Sequence, residues 1–167
     1  HVVDVAKREY RESKLQDIYD AARIVDCMAN IHFFQRPMVP RDIPDPLDMD
    51  FNTLYACVAG TSKHVGTSFT VRENVQPALE MLHMIAGGEE KFRARPFVSN
   101  SNCFVVPPMK FAEDACGVLE ACVAGGIPIL LLSAGQAGAT APAAIAGAIV
   151  QAVAEVLVGL VYVNALK

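Results

Sequence analysis

The chain has 167 residues, of which 53% are hydrophobic and 19% are charged, and its net charge is −4. This length allows one domain with a sizeable core, and the apolar composition excludes an intrinsically disordered protein. The negative charge gives no electrostatic reason to expect nucleic acid as a partner, because no basic stripe is present to neutralise phosphates.

The five cysteines bear on the cellular compartment. Their number is odd and no C-x-x-C spacing occurs, so we expect neither a disulfide framework nor a zinc knuckle. Reduced, mostly buried thiols predict a cytoplasmic protein. The first turn is charged, unlike a signal peptide, and the opening on His1 indicates a piece of something longer.

Helices and strands alternate along the chain. The predicted helices have apolar residues at helical spacing and cover residues 13–29, 47–59, 74–86, 111–124 and a long apolar segment after Thr140. The predicted strands are rich in β-branched and aromatic residues and cover residues 31–35, 63–70, 96–102 and 127–132. Asn74 and Thr140 are predicted to cap the helices that follow them, and Gly87 and Gly126 lie at predicted helix ends.

The spacing of the strands indicates the fold class. They begin about thirty residues apart, which is the size of one βαβ unit, and this predicts an α/β fold with parallel strands and about four αβ units. The run 127–132 is continuously apolar, which is typical of a strand buried on both faces. Two architectures stay open on spacing alone, half of a (β/α)8 barrel or a small open α/β domain.

The last helix could pass for a membrane span, since residues 143–163 are almost wholly apolar. Gln151 and Glu155 lie in its middle, one helical turn apart, and a Glu at bilayer depth would cost roughly 2.5 kcal/mol or more. We therefore expect a buried helix of a large core and no membrane partner. Glu155 is expected to pair within the core or to point to solvent rather than to act in catalysis.

Candidate binding residues follow the predicted strands, because the loops after parallel strands converge on one face. The candidates on the first three strands are Gln35, Arg36, Thr67, Ser68, Asn100, Ser101 and Asn102. After the fourth strand comes an eight-residue stretch whose candidates are Ser133, Gly135, Gln136, Gly138 and Thr140.

Residues 133–140 form the most informative stretch. Small residues let a ligand approach the backbone, and a following helix N-terminus suits a carboxylate, a phosphate or an amide edge. The stretch matches neither G-x-G-x-x-G nor the P-loop. The alternative interpretation is a tight turn whose glycines only allow packing.

Other familiar site patterns are missing from the sequence. The four histidines contain no H-x-x-x-H pair, so we expect no directly bound metal. No G-x-S-x-G elbow occurs, which removes the usual signal of a serine hydrolase. No pattern in the sequence identifies a catalytic residue.

The runs 127–142, 146–148 and 151–157 resemble the trimethylamine methyltransferase family, and the stretches 99–108 and 26–31 are compatible with it. The resemblance covers most of this chain but only the middle of a much longer family member. It implies that residues 1–167 are a single segment of a (β/α)8 barrel. It also implies transfer of a methyl group from an amine to the cobalt of cobalamin carried by a separate corrinoid protein. Because a half barrel leaves two unpaired sheet edges, we expect the chain to associate as a homo-oligomer.

A quaternary amine such as glycine betaine would need an aromatic site, because a ring face attracts a cation that cannot donate hydrogen bonds. Phe34, Phe69 and Phe104 are the candidate walls, and Arg36 is a candidate partner for a carboxylate. The competing hypothesis is that the chain is a non-catalytic α/β fragment or a small ligand-binding module.

Overall fold

The computed structural model describes residues 1–166. These residues form two compact units, one from His1 to Thr67 and the other from Ser68 onward. Both units combine short strands with helices on the same α/β plan.

The first unit opens with an antiparallel hairpin and continues with two helix–strand repeats. Its elements are β1 (Val2–Asp4), β2 (Glu9–Arg11), α1 (Leu15–Asp26), β3 (Phe33–Gln35), α2 (Pro46–Gly60) and β4 (His64–Thr67). Strands β3 and β4 are parallel, with Phe34 opposite Val65. Asp45 caps α2 by accepting from the amides of Leu47 and Asp48, and Pro46 occupies the first helical position, where its missing N–H costs little.

A close approach of two helices organises the first unit. A Cβ atom on Gly60 of α2 would lie 2.5 Å from Cβ of Ala22 on α1 and 3.1 Å from the carbonyl oxygen of Tyr19. Only a residue without a side chain fits there, so Gly60 allows α1 and α2 to pack. The fully buried Ile18, Ala22 and Leu54 belong to the core of this unit.

The second unit contains two further repeats and a small hairpin between them. Its elements are a 3₁₀ turn (Arg72–Asn74), α3 (Val75–Ala86), α4 (Glu89–Ala94), β5 (Val98–Asn102), β6 (Val105–Val106), β7 (Lys110–Phe111), α5 (Glu113–Gly125), β8 (Ile129–Leu131) and α6 (Ile145–Ala165). Strands β5 and β8 are parallel, with Asn102 opposite Leu131, whereas β6 and β7 are antiparallel.

Helix α6 packs on the core of the second unit at a glycine. Phe104 and Leu119 are fully buried, and Tyr162 of α6 packs against their cluster. A Cβ atom on Gly159 would lie 2.5 Å from the ring of Phe104. Tyr162 also donates a 2.5 Å hydrogen bond to Glu120 of α5. Together these contacts fix one face of α6.

The predicted fold class is confirmed, because parallel strands alternate with helices as in a segment of a (β/α)8 barrel. The single-segment assignment of residues 1–167 stays a prediction. The pairs β1–β2 and β6–β7 and the six-residue helix α4 were not predicted, since they are too short to show a periodicity.

Neither predicted cap makes a capping hydrogen bond with its side chain, and of the two only Asn74 occupies the N-cap position of its helix. Helix α6 begins at Ile145, and Thr140 lies in a turn before it. Asn74 ends the 3₁₀ turn before α3, and its side-chain Nδ2 donates to the hydroxyl of Thr70. Gly87 and Gly126 do end their helices, both in the left-handed conformation.

Strand β8 and helix α6 are more exposed than predicted. Leu130 is 44% exposed, so β8 is not buried on both faces within the described residues. Helix α6 buries only Glu155 and Gly159, and its opposite face is apolar and exposed. That face consists of Ile145, Ile149, Val150, Val153, Leu157, Leu160 and Val161.

Helix α6 has the length and hydropathy of a membrane span. Its mean hydropathy reaches 2.0, and within residues 1–166 it is the one helix that meets this criterion. Core helices of soluble proteins can meet the same criterion. The expectation that the helix lies in a large core is not met within the described residues, and the absence of a membrane partner stays a prediction.

Candidate functional site

Residues 133–140, here called the 133–140 loop, lie between β8 and α6. The carbonyl oxygen of Gln136 accepts the amides of Ala139, Thr140 and Ala141 at 3.0, 3.0 and 2.9 Å. The amide of Gln136 in turn donates to the hydroxyl of Thr140 at 3.0 Å. The loop is therefore an ordered turn, although its residues from 134 to 140 are exposed.

The backbone conformation at position 138 favours glycine. Its φ is 80°, in the left-handed region that side chains with a branched Cβ rarely adopt. Apart from its two chain neighbours, no described residue has an atom within 4 Å of the position that a Cβ would occupy. The constraint at Gly138 is thus set by the backbone and not by crowding.

A buried carboxylate lies beneath this loop. Glu155 of α6 has no exposed surface, and its Oε2 accepts a 2.6 Å hydrogen bond from the hydroxyl of Ser133. Its Oε1 accepts from the amide of Met109, in the turn between β6 and β7, and from Nε2 of Gln151, each at 3.1 Å. Three segments of the chain therefore meet at one carboxylate.

The ionisation of Glu155 follows from these donors. Burial by itself would raise the pKa of Glu155, but the hydrogen bonds from Ser133, Met109 and Gln151 together hold that pKa below its ordinary value. The side chain is therefore a carboxylate at neutral pH. A buried charge of this kind is stable only while its hydrogen bonds are made.

Gln151 connects the carboxylate to the far end of the loop. Its Nε2 donates to the carbonyl oxygen of Thr140 at 2.9 Å as well as to Glu155. Ser133 contacts Glu155 directly, so the first and last residues of the 133–140 loop are both tied to the same turn of α6. The structure thus brings together Ser133, Gln136 and Thr140 among the predicted site residues.

The two asparagines of β5 have a different environment. Asn102 is buried and its Nδ2 donates to the carbonyl oxygen of Ala115 on α5 at 3.0 Å. Asn100 is fully buried, and within the described residues neither its Nδ2 nor its Oδ1 has a hydrogen-bond partner. The structure does not join either side chain to the 133–140 loop, and their role in binding stays a prediction.

The candidate aromatic walls are buried. Phe104 is fully buried, 5.4 Å from the ring of Phe111 and against Gly159. Phe69 and, in the first unit, Phe34 are also buried. Phe104 therefore fills the core beneath α6, and a wall role for any of the three stays a prediction.

Of the remaining candidates, Gln35, Arg36 and Thr67 lie in the first unit, and Ser68 and Ser101 lie in the second. Thr67 ends β4 and is buried. Burial lowers the pKa of Arg36, while the nearby charge of Asp50 opposes that shift. The side chain of Arg36 therefore lies in a partly desolvated place near an acidic residue. Its use as a carboxylate partner stays a prediction.

Met109 and Gln151 were not predicted as part of any site, and Glu155 was assigned a core or solvent role. The backbone amide of Met109 carries no signal in the sequence and lies 46 residues from Glu155. The pair Gln151 and Glu155, one turn apart in an apolar helix, was the available signal. Within residues 1–166 no group of three His, Cys, Asp or Glu side chains could hold a metal ion.

Comparison with known proteins identifies relatives over most of the chain. The trimethylamine methyltransferase (MTTB) family matches residues 1–167. Trimethylamine methyltransferase MttB of Desulfitobacterium hafniense (strain DSM 10664 / DCB-2) is 32% identical over 160 residues, which cover 96% of this chain and 32% of that protein. MttB of Methanosarcina thermophila is 33% identical over 151 residues, which cover 90% of this chain and 31% of that protein.

A relative with a different named substrate also matches. Glycine betaine methyltransferase of Desulfitobacterium hafniense (strain Y51) is 30% identical over 152 residues, which cover 90% of this chain and 31% of that protein. The chain thus spans about a third of the length of these relatives. The match to the family along residues 1–167 confirms the resemblance seen in the sequence, and the chain belongs to the trimethylamine methyltransferase family.

Proposed function

We propose that the full-length protein containing this chain transfers a methyl group from a methylated amine, such as trimethylamine or glycine betaine, to the cobalt of a separate corrinoid protein. The 133–140 loop supports the proposal most directly. It is exposed, and five of its eight residues are glycine or alanine, so that a ligand can approach the backbone closely. Its position after a parallel strand is where barrel enzymes place substrates.

Cobalamin on the partner protein would supply a strongly nucleophilic reduced cobalt. The contribution of this chain is then to orient the donor and to exclude water from the methyl carbon. A quaternary ammonium donor already has a neutral tertiary amine as its leaving group, so no general acid is required. This fits a loop of small residues held by hydrogen bonds, with no acid exposed among residues 133–140.

The nature of the donor is tested through Phe69, which lies soon after β4 and is buried. If its ring contacts a donor cation, Phe69→Ala weakens donor binding by about 0.5–2 kcal/mol in calorimetry. Phe104→Ala is less suitable for this purpose, because Phe104 has no exposed surface and emptying the core beneath α6 costs about 3–5 kcal/mol of folding free energy, whereas Phe69 is 9% exposed. Unchanged donor affinity in Phe69→Ala would remove Phe69 from the proposed site.

The function itself is tested with the full-length protein, reduced cobalamin and a set of methylated amines. We expect one donor to convert the cobalamin to its methylated form, followed by its absorbance, at a rate proportional to protein concentration. Donor binding without methyl transfer would favour the ligand-binding module instead. If no amine is bound and no methyl group is transferred, the proposal is contradicted.

Three further properties stay proposals of the same kind. The cytoplasmic location rests on the use of cysteine. The homo-oligomeric state rests on the unpaired sheet edges of a half barrel. The absence of a membrane partner rests on Gln151 and Glu155 within α6. Fractionation of cells and sedimentation of the full-length protein test them.

A further inference from the structure

Glu155 is a charged residue in the most apolar helix of the chain, and it is turned inward. Seven large apolar side chains of α6 are exposed while this carboxylate has no exposed surface. Removing a carboxylate from water is unfavourable unless hydrogen bonds replace the lost hydration. Here the replacement comes from Ser133, Met109 and Gln151, which belong to the loop, the β6–β7 turn and α6 itself.

The contact with Ser133 determines how that hydroxyl can meet a ligand. A serine hydroxyl has one proton and two acceptor positions. The proton is directed to Oε2 of Glu155 at 2.6 Å, a short bond of the kind formed with an ionised acceptor. Ser133 can therefore offer a ligand an acceptor oxygen, and this oxygen lies next to the negative charge of Glu155.

We propose that Glu155 is a positioning residue of the methyl-donor site. It fixes both ends of the 133–140 loop and orients Ser133 as an acceptor towards a positively charged donor. The proposal rests on the proposed function and deepens it, since it selects cationic amines as the substrate class. Methyl hydrogens of an ammonium group are positively polarised, and an oxygen acceptor in front of a carboxylate attracts them.

The experiment uses Glu155→Gln, Ser133→Ala and the double variant in the full-length protein. Because each change removes the same charge-assisted bond, each single variant is expected to lower kcat/KM for the cationic donor about tenfold, mainly through KM. The double variant should lose no more than the more damaging single variant, within about twofold, since residues acting as a unit are not additive. Ser133 is only half-buried, so Ser133→Ala decides the question if Glu155→Gln does not fold.

Glu120→Gln is the matched control. It also removes a carboxylate that accepts a hydrogen bond from α6, the one from Tyr162, but it leaves the loop untouched. We expect its kcat/KM to stay within about twofold of the unmodified protein, since no donor contact changes. Additive losses in the double variant, a fall in kcat at unchanged KM, or an equal loss in Glu120→Gln would overturn the proposal.

Hydrogen exchange separates this proposal from the proposed function. The amides of Ala139, Thr140 and Ala141 should exchange faster in Glu155→Gln and Ser133→Ala than in Glu120→Gln, because the turn loses its support. If the unmodified protein methylates no cobalamin, the proposed function fails and the donor role of Glu155 fails with it. Unchanged exchange in an active protein overturns the role of Glu155 alone.

Discussion

The hydroxyl of Ser133 lies 2.6 Å from Oε2 of Glu155, which is 22 residues further along the chain. This contact joins the end of β8 to the middle of α6. Gln151 extends the connection to Thr140, so that an exposed loop of small residues is held from below by one carboxylate. The loop is therefore held by the hydrogen bonds of its own turn and by its ties to a buried charge.

The charge of Glu155 can be detected through Cys103, whose pKa is raised by burial and by the nearby carboxylate. Glu155→Gln removes that charge, so the pKa of Cys103 falls and its thiolate fraction rises. We expect Cys103 to react severalfold faster with a disulfide reagent at about pH 8, near the ordinary pKa of a thiol. Site-resolved mass spectrometry gives the rate, with the exposed Cys27 as internal control. Equal rates for Cys103 in both proteins would argue that Glu155 is not ionised.

The ion pair between Arg11 and Asp17 joins β2 to α1, and we expect it to weaken in acid. Two hydrogen bonds of 2.6 and 2.7 Å join them, and the bond from Arg11 is the main reason that the pKa of Asp17 falls to about 2. Because the folded pKa is depressed, the contact stabilises the fold above pH ~4 and is lost as the pH falls towards ~2.

Asp17→Asn should remove this part of the pH dependence, and the effect is modest because both side chains are partly exposed. Urea unfolding midpoints at two pH values measure it. Asp20→Asn on the same helix is the matched control, and an identical change in both variants would contradict the assignment.

Two glycines should respond to alanine in opposite directions. Gly60→Ala places a methyl group 2.5 Å from Cβ of Ala22, and overpacking of this kind costs about 1–3 kcal/mol. Gly117 lies within α5, where a new Cβ would lie 3.6 Å from Cδ of Arg72, an ordinary van der Waals distance. Gly117→Ala should stabilise by about 0.5–1 kcal/mol through helix propensity. Chemical unfolding measures the change in the free energy of unfolding for each variant. A more stable Gly60→Ala variant would show that α1 and α2 do not pack as described.

The sequence predicted the alternation of strands and helices because repeated apolar patterns are local. It could not predict that α6 begins at Ile145, since the hydroxyl of Thr140 accepts from Gln136 and closes a turn instead of capping the helix. The loop was recognised from its small residues. Its support by Glu155 was not, because the amide of Met109 and the hydroxyl of Ser133 reach that carboxylate only through the tertiary fold.

The exposed apolar face of α6 predicts association of the 167-residue chain when it is produced alone. Ile145, Val150 and Val161 are each more than two thirds exposed, and burial of such surface drives assembly. Sedimentation velocity at several concentrations should show dimers or larger species. Paired substitutions such as Val150→Lys and Val161→Lys should restore a monomer, whereas a monomeric unmodified chain would contradict this expectation.

Two substitutions at Gly138 test whether the 133–140 loop is part of the methyl-donor site. The φ of 80° at Gly138 tolerates Asn far better than a β-branched residue, so Gly138→Asn keeps the turn and Gly138→Val distorts it. The measurement is the initial rate of cobalamin methylation by the full-length protein, with both variants shown to be folded by their thermal unfolding. We predict that Gly138→Val loses nearly all activity while Gly138→Asn retains most of it. Unchanged activity in Gly138→Val would show that the loop is only a packing turn and lies outside the methyl-donor site.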